Sequence, residues 1–388
     1  MDTEFIANRS ISVSGSGIRK MYNLALGIED LVHLEIGEPD FPTPHYIIEA
    51  AKKAMDEGYT RYTPNSGYMD LRERIAEKLL EENKIEADPT SEIIVTAGAM
   101  QALSLAILVT INPGDEVIIP DPAYESFERQ VKFAGGIPVP VEVKEENEFR
   151  LAPEDVERAT TKRSKMVIIN TPSNPTGSVM GKTDLEGIAE LAKKHNLLIL
   201  TDEIYEKIIY DGLKHFSIAS LPEMKDRTIS VFGFSKTYAM TGWRLGYAVS
   251  NKKIIEQMNK VQEFYVTCAS SISQRAALAA LEGPQDCVER MVKEYKVRRD
   301  LLYKELIKSD KISCVKPKGA FYLFPNISKT GLRSQKAAEL LVEKGKVVTV
   351  PGEAFGKNGD EFLRLCYATS MNVLQEATVR ILSTLDEI

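Results

Sequence analysis

Lys236 follows the apolar run Ile229–Gly233, within the segment Gly233-Phe234-Ser235-Lys236-Thr237-Tyr238-Ala239-Met240-Thr241-Gly242-Trp243-Arg244. If that run is a strand of an open α/β sheet, the residue after its carboxyl end points into the ligand crevice. An ammonium there is partly desolvated, which lowers its pKa and makes the lysine a candidate Schiff-base former. Ser235 and Arg244 flank it as anion donors, the arginine in bidentate fashion. A surface lysine after a strand is the plainer alternative.

Asp202 ends a second apolar run, Leu197–Thr201, where an unpaired carboxylate is costly. It reads either as a helix N-cap or as the partner of a protonated ring nitrogen. Pyridoxal phosphate needs that pairing, because its pyridinium is the electron sink. Tyr205, a little further on, is in range of the phenolic oxygen of the same ring. Gly98-Ala99-Met100-Gln101 opens a helix after Ile93–Thr96, and small residues there admit a phosphate to the backbone N–H groups. A tight strand–helix turn explains that segment equally well.

Such residues need a sheet to bring them together. Strands are predicted at Ile93–Thr96, Val117–Pro120, Ile137–Val141, Met166–Asn170, Leu197–Thr201, Ile229–Gly233 and Leu245–Val249. Several are continuous apolar runs, as expected where helices cover both faces of a parallel sheet. Helices fall near Gln101–Val109, Tyr124–Phe133, Lys182–His195 and Ile254–Phe264. The fold class is therefore α/β, a three-layer, mostly parallel sheet with a smaller α+β unit. That unit begins after about Gly283, with a charged helix over Cys287–Leu306 and strands at Ala320–Phe324, Lys346–Val350 and Phe362–Tyr367. The N-terminal stretch is too short to stand alone and is expected to pack with it. The expected division is 46–284 for the large unit and 1–45 plus 285–388 for the small one. Cis bonds are expectations at the turns Asp121-Pro122 and Asn174-Pro175.

Composition narrows what this scaffold does. The 388 residues carry 49 basic and 56 acidic side chains, a net charge of −7, which argues against a nucleic-acid footprint. No apolar run is long enough to span a membrane, and the first ten residues lack a signal-peptide core. Four widely spaced cysteines fit a reducing, cytoplasmic compartment. The four histidines have no metal-ligand spacing, and neither a dinucleotide nor a P-loop fingerprint occurs, so no metal is expected.

Further motifs then align with a family. Gly37-Glu38-Pro39-Asp40-Phe41-Pro42-Thr43-Pro44, Tyr62-Thr63-Pro64 and Asn170-Thr171-Pro172-Ser173-Asn174-Pro175-Thr176-Gly177 join Asp202-Glu203-Ile204-Tyr205 and Ser235-Lys236 through Arg244. In this order and spacing the chain resembles, over essentially its whole length, the fold-type-I pyridoxal-phosphate aminotransferases of class I/II. The resemblance implies that Lys236 holds the cofactor as a Schiff base and then shuttles the substrate proton. It implies that Asp202 pairs with the ring nitrogen, that Tyr205 and Asn174 bond the ring oxygen, and that Tyr124 stacks on the ring. Gly98, the N–H groups of Ala99 and Met100, Ser235 and Arg244 would hold the phosphate. Tyr62 would reach the phosphate of the neighbouring subunit, which implies a homodimer with shared sites. Arg364, between apolar neighbours in a strand, would grip the substrate α-carboxylate with help from Gly37 and Asn174.

The implied activity is ping-pong transfer of an amino group from an amino acid, aromatic and/or aspartate, to a 2-oxo acid such as 2-oxoglutarate. A pyridoxal-phosphate C–S β-lyase on the same fold is the alternative. A ligand-sensing regulator is a more distant one, as no DNA-binding segment precedes the fold in this sequence. Met100 stands where some acid-specific relatives place a lysine; it cannot pair a carboxylate but packs on aromatic rings. Ser14, Ser16 and Arg19 are candidate contacts for a distal carboxylate.

Overall fold

The computed structural model describes residues 5–387. After a short strand β1 (Val32–His33), the apolar runs form β2 (Ile93–Thr96), β3 (Glu116–Asp121), β4 (Ile137–Glu142), β5 (Ser164–Asn170), β6 (Leu198–Asp202), β7 (Thr228–Gly233) and β8 (Gly246–Val249). β2 to β8 make one seven-stranded sheet in the order β2-β8-β7-β6-β5-β3-β4. Pairing is parallel except at β8, which runs antiparallel to both β2 and β7.

Alternation along these strands explains why the runs are apolar throughout. Val117 and Ile119, Met166 and Ile168, and Leu200 pack with Leu103, Ala106 and Ile107 of helix Ala99–Thr110. Their neighbours Ile118, Val167, Ile169 and Ile199 face the other way, onto Leu185, Ile188 and Ala192 of helix Lys182–Lys194. A sheet buried on both faces needs apolar side chains at every position.

Segments from both ends of the chain come together. β1 pairs in parallel with β10 (Val347–Val348), and β9 (Tyr322–Leu323), β11 (Val350–Pro351) and β12 (Leu363–Cys366) form an antiparallel sheet in the order β11-β12-β9. Met21, Val32 and Leu34 share one apolar cluster with Tyr295, Leu302, Phe321, Val347, Leu365 and Ile381. The charged helix spans Asp286–Leu306. Three expectations change. The single run Lys346–Val350 is two short strands in different sheets, β1 has no counterpart among the predicted strands, and Tyr124 lies in the loop before helix Ser126–Phe133. The Asp121-Pro122 and Asn174-Pro175 bonds are cis, and so is Thr171-Pro172.

Candidate active site

The carboxyl ends of β5, β6 and β7 converge on a cavity of about 240 Å³, closed from the other side by Gly37, Tyr322 and Arg364. Lys236 sits in the short helix Phe234–Thr237 that follows β7. Its Nζ turns inward and donates to the Gly37 carbonyl at 2.6 Å, so it is no surface lysine. Burial brings its ammonium down to about 8.

Asp202 closes β6 and is 2% exposed. A turn rather than a helix follows it, which removes the N-cap reading. Among the described residues its carboxylate accepts only the Ile204 N–H, at 3.3 Å, and burial pushes it up to about 7. The Asn170 side chain locks the surrounding loops, donating to the Asp202 carbonyl at 3.1 Å and accepting from the Asn174 N–H at 2.8 Å. Tyr205 is buried, with its hydroxyl 2.7 Å from that of Tyr322.

Arg364 in β12 is fully buried. Nη1 donates to Asn174 Oδ1 at 3.2 Å and Nη2 to the Glu35 carbonyl, while Nε has no partner among the described residues. The Tyr322 and Phe355 rings lie 4.6 and 5.1 Å from its guanidinium carbon. A buried guanidinium bonded only to neutral acceptors is short of an anion.

At the other end of the cavity, helix Ala99–Thr110 begins with Gly98 at its N-cap, at φ +81° and with no side-chain cap. As first-turn amides, Ala99 and Met100 have no intrahelical acceptor. A Cβ on Gly98 would sit 2.7 Å from Arg244 Nη2, and the left-handed backbone at this corner favours glycine. Arg244 is itself in the left-handed region at φ +53° and donates to the Thr241 carbonyl at 2.7 Å. Ser235 completes the corner. The result is an anion cradle of helix amides, a hydroxyl and a guanidinium.

Tyr124 also lines the cavity, edge-on to Phe127 with centroids 5.7 Å apart. Met100 is present, but its sulfur is taken up by Ser126 at 3.2 Å and Gln130 at 3.0 Å. Ser16 is not free for a substrate: it donates to Glu125 and accepts the Arg19 N–H at 3.2 Å. Arg19 is exposed, and Ile18 is the residue of that segment that reaches the cavity. Ser14 lines a separate cavity of about 740 Å³ that shares Tyr124. Like Ser14, Ser16 and Arg19, Tyr62 is not brought in; it is 85% exposed at the surface of the chain. Tyr322 was missed because a buried aromatic in an apolar run reads as core. The signal for Tyr322 is its hydroxyl, which requires a partner when buried.

A lysine with a lowered pKa, a carboxylate with one long hydrogen bond, an anion cradle and an arginine bonded to neutral acceptors thus share one cavity. They are equipped to hold a ring with a basic nitrogen, anchor two anions and move a proton between them. Residues 29–381 match the family described as aminotransferase class I and II. The chain is 49% identical to an aspartate aminotransferase of Pyrococcus abyssi over 384 residues, 98% of each chain. It is 46% identical to aromatic-amino-acid aminotransferase 2 of Thermococcus litoralis, again over 98% of each. The solved aromatic aminotransferase of Pyrococcus horikoshii superposes with a TM-score of 0.91 at 47% identity, over 95% of this chain and 99% of that one.

Proposed function

Given that the chain belongs to the class I and II aminotransferases, which depend on pyridoxal phosphate, we propose that it moves amino groups from aromatic amino acids, aspartate or both to 2-oxoglutarate. The donor classes are those for which its relatives are named. The observation that carries the site assignment is Arg364, a buried guanidinium without a carboxylate, on the same cavity as Lys236 and Asp202.

The residues fit the cofactor. The Gly98 corner suits its phosphate, and Asp202, with one long bond, suits a ring N–H. Bound there, pyridoxal phosphate supplies the electron sink for the carbanion formed when a substrate Cα loses its proton. The protein does the rest. Arg364 orients the amino acid through its α-carboxylate, by bidentate N–H donation. Lys236, brought toward neutrality by burial, takes the Cα proton as a general base and returns it as an acid; such a group contributes about 10²–10⁴-fold. The Gly37 carbonyl steadies its Nζ on the substrate side. Asp202 keeps the ring nitrogen protonated, Tyr205 and Asn174 hold the ring oxygen, and Tyr124 covers the ring face. Ala99 and Met100 amides, Ser235 and Arg244 fix the phosphate.

In the Lys236→Ala protein the visible band of the lysine-bound cofactor should vanish with nearly all turnover. A band that persists would sink this assignment. Pyruvate and ammonia released from a cysteine conjugate without an acceptor would replace transamination with lyase chemistry.

The working form is a homodimer on this reading, in the cytoplasm, with residues 46–284 holding the cofactor and 1–45 plus 285–388 supplying Gly37 and Arg364. Its support is the exposure of Tyr62 (85%), Phe264 (85%) and Tyr265 (62%), on segments tied together by the Gln262–Asn65 hydrogen bond. Large exposed apolar patches mark association surfaces. Mixed dimers of Tyr62→Ala and Lys236→Ala chains should regain one working site, whereas inactivity of every mixed dimer would show that Tyr62 serves its own subunit.

A further inference from the structure

The Tyr322 hydroxyl stands on the cavity beside the groups named above, without a role in the reading so far. Its ring is edge-on to Tyr205, with centroids 5.9 Å apart, and 4.6 Å from the Arg364 guanidinium carbon. Gly37 closes in from a third direction: a Cβ there would collide with the Tyr322 oxygen. Packed on these sides, the ring has little freedom to swing. Its oxygen is held 2.7 Å from that of Tyr205. Burial raises both hydroxyls well above the usual tyrosine range, so both are protonated at neutral pH. Each has one proton to donate. If Tyr205 gives its proton to the cofactor's phenolic oxygen, only the Tyr322 proton remains for the bond between the two.

We infer that Tyr322 is a positioning residue for the transamination site, whose hydroxyl donates to the Tyr205 oxygen and thereby turns the Tyr205 O–H onto the cofactor. The inference rests on the proposed role of Tyr205. Hydrogen bonds in a chain polarise one another, so a hydroxyl that accepts becomes a stronger donor. A stronger donor draws on the charge of the phenolic oxygen. That weakens the oxygen's hold on the proton it shares with the nitrogen bound to Lys236. The visible absorbance of the holoenzyme therefore titrates at lower pH with Tyr322 in place than without it.

Tyr322→Phe keeps the ring and removes only the hydroxyl. The test is a spectral pH titration of four holoenzymes: the parent, Tyr322→Phe, Tyr205→Phe and the double variant, each with a melting scan. Tyr322→Phe should raise the apparent pKa, by about a three- to tenfold change in the acid constant, the worth of one net hydrogen bond. Added to Tyr205→Phe, it should raise it no further. A rise with Tyr205→Phe but none with Tyr322→Phe overturns the inference and leaves the role of Tyr205 standing. Equal rises in both backgrounds also overturn it, because the effect then bypasses Tyr205. No rise from either variant removes both roles. A lower melting temperature without a spectral change would mark Tyr322 as structural only.

Discussion

Asp202 and Glu203 are neighbours in sequence, both buried, and their surroundings are opposite. Asp202 faces the cavity with a single 3.3 Å bond from a backbone N–H. Glu203 turns away from it and is bonded by the Thr201 hydroxyl at 2.7 Å, the Ser217 hydroxyl at 2.5 Å and the His215 ring at 2.5 Å. Burial drives Asp202 up to about 7. Burial is the largest influence on Glu203 too, but His215, Ser217 and Thr201 together outweigh it and hold that carboxyl below its usual range. Two buried arginines repeat the contrast. Arg299 is bidentate to Asp211 and bonded to Asp300, whereas Arg364 meets only neutral acceptors. Buried polar groups are ordinarily satisfied. Of these four charged groups, the two under-bonded ones, Asp202 and Arg364, line the cavity, and the two satisfied ones, Glu203 and Arg299, do not; on the proposed reading a cofactor and a substrate carboxylate supply what the chain withholds.

Substitutions on the two sides should therefore fail in different ways. Asp202→Ala is expected to lower kcat by about 10²–10³-fold or more, the usual cost of losing one preorganised electrostatic partner. The melting temperature of the cofactor-free protein should stay the same or rise, because a poorly paired buried carboxylate is gone. Glu203→Ala should do the reverse, costing about 3 kcal/mol of stability by stranding its buried partners, with a smaller effect on the kcat of the folded fraction. Steady-state kinetics and urea unfolding on the two variants check both. If they lose stability equally, the contrast between the two sides is wrong.

That contrast also separates what the sequence makes legible from what it hides. Strand ends are readable, because an apolar run that stops at a polar residue announces where the ligand crevice begins; Asn170 and Asp202 follow that rule, and Lys236 comes just past the end of β7. Arg364 is readable for a related reason, since a charge inside an apolar strand demands an anion. Tyr322 breaks no such pattern: a tyrosine suits a buried strand, and only its distance to Tyr205, far away in sequence, gives the hydroxyl a meaning. Ser16 misleads in the opposite sense. A serine near a suspected site suggests a substrate contact, but its hydroxyl is committed to Glu125 and to the cap of its own helix. β1 is illegible because two residues carry no periodicity; it exists through its pairing with β10. Tyr62 lies within reach of sequence motifs only, since a single chain leaves it at the surface.

The smallest expected effect is the most direct measure of the difference between the two carboxylates. In the cofactor-free protein, the folded-state pKa of Asp202, about 7, lies above the ordinary carboxylate value of 3.8. Between those values the folded chain keeps a proton that the unfolded chain has released, so unfolding free energy falls as pH rises through that window. Glu203 has the other sign: its contribution is present above the ordinary value and disappears only in more acidic solution, as pH falls through its lowered folded value. From pH 5 to pH 8, then, Glu203 is silent and Asp202 is not. Cofactor-free protein should lose about 2 kcal/mol of stability over that interval on account of this one group. Asp202→Asn should remove that loss. Asp121, which titrates at about 6 in the same interval, is common to both proteins and cancels in the difference. Identical slopes for the two proteins would mean that the Asp202 carboxylate is satisfied after all, and the distinction between a cavity side and a structural side of this strand end would fall with it.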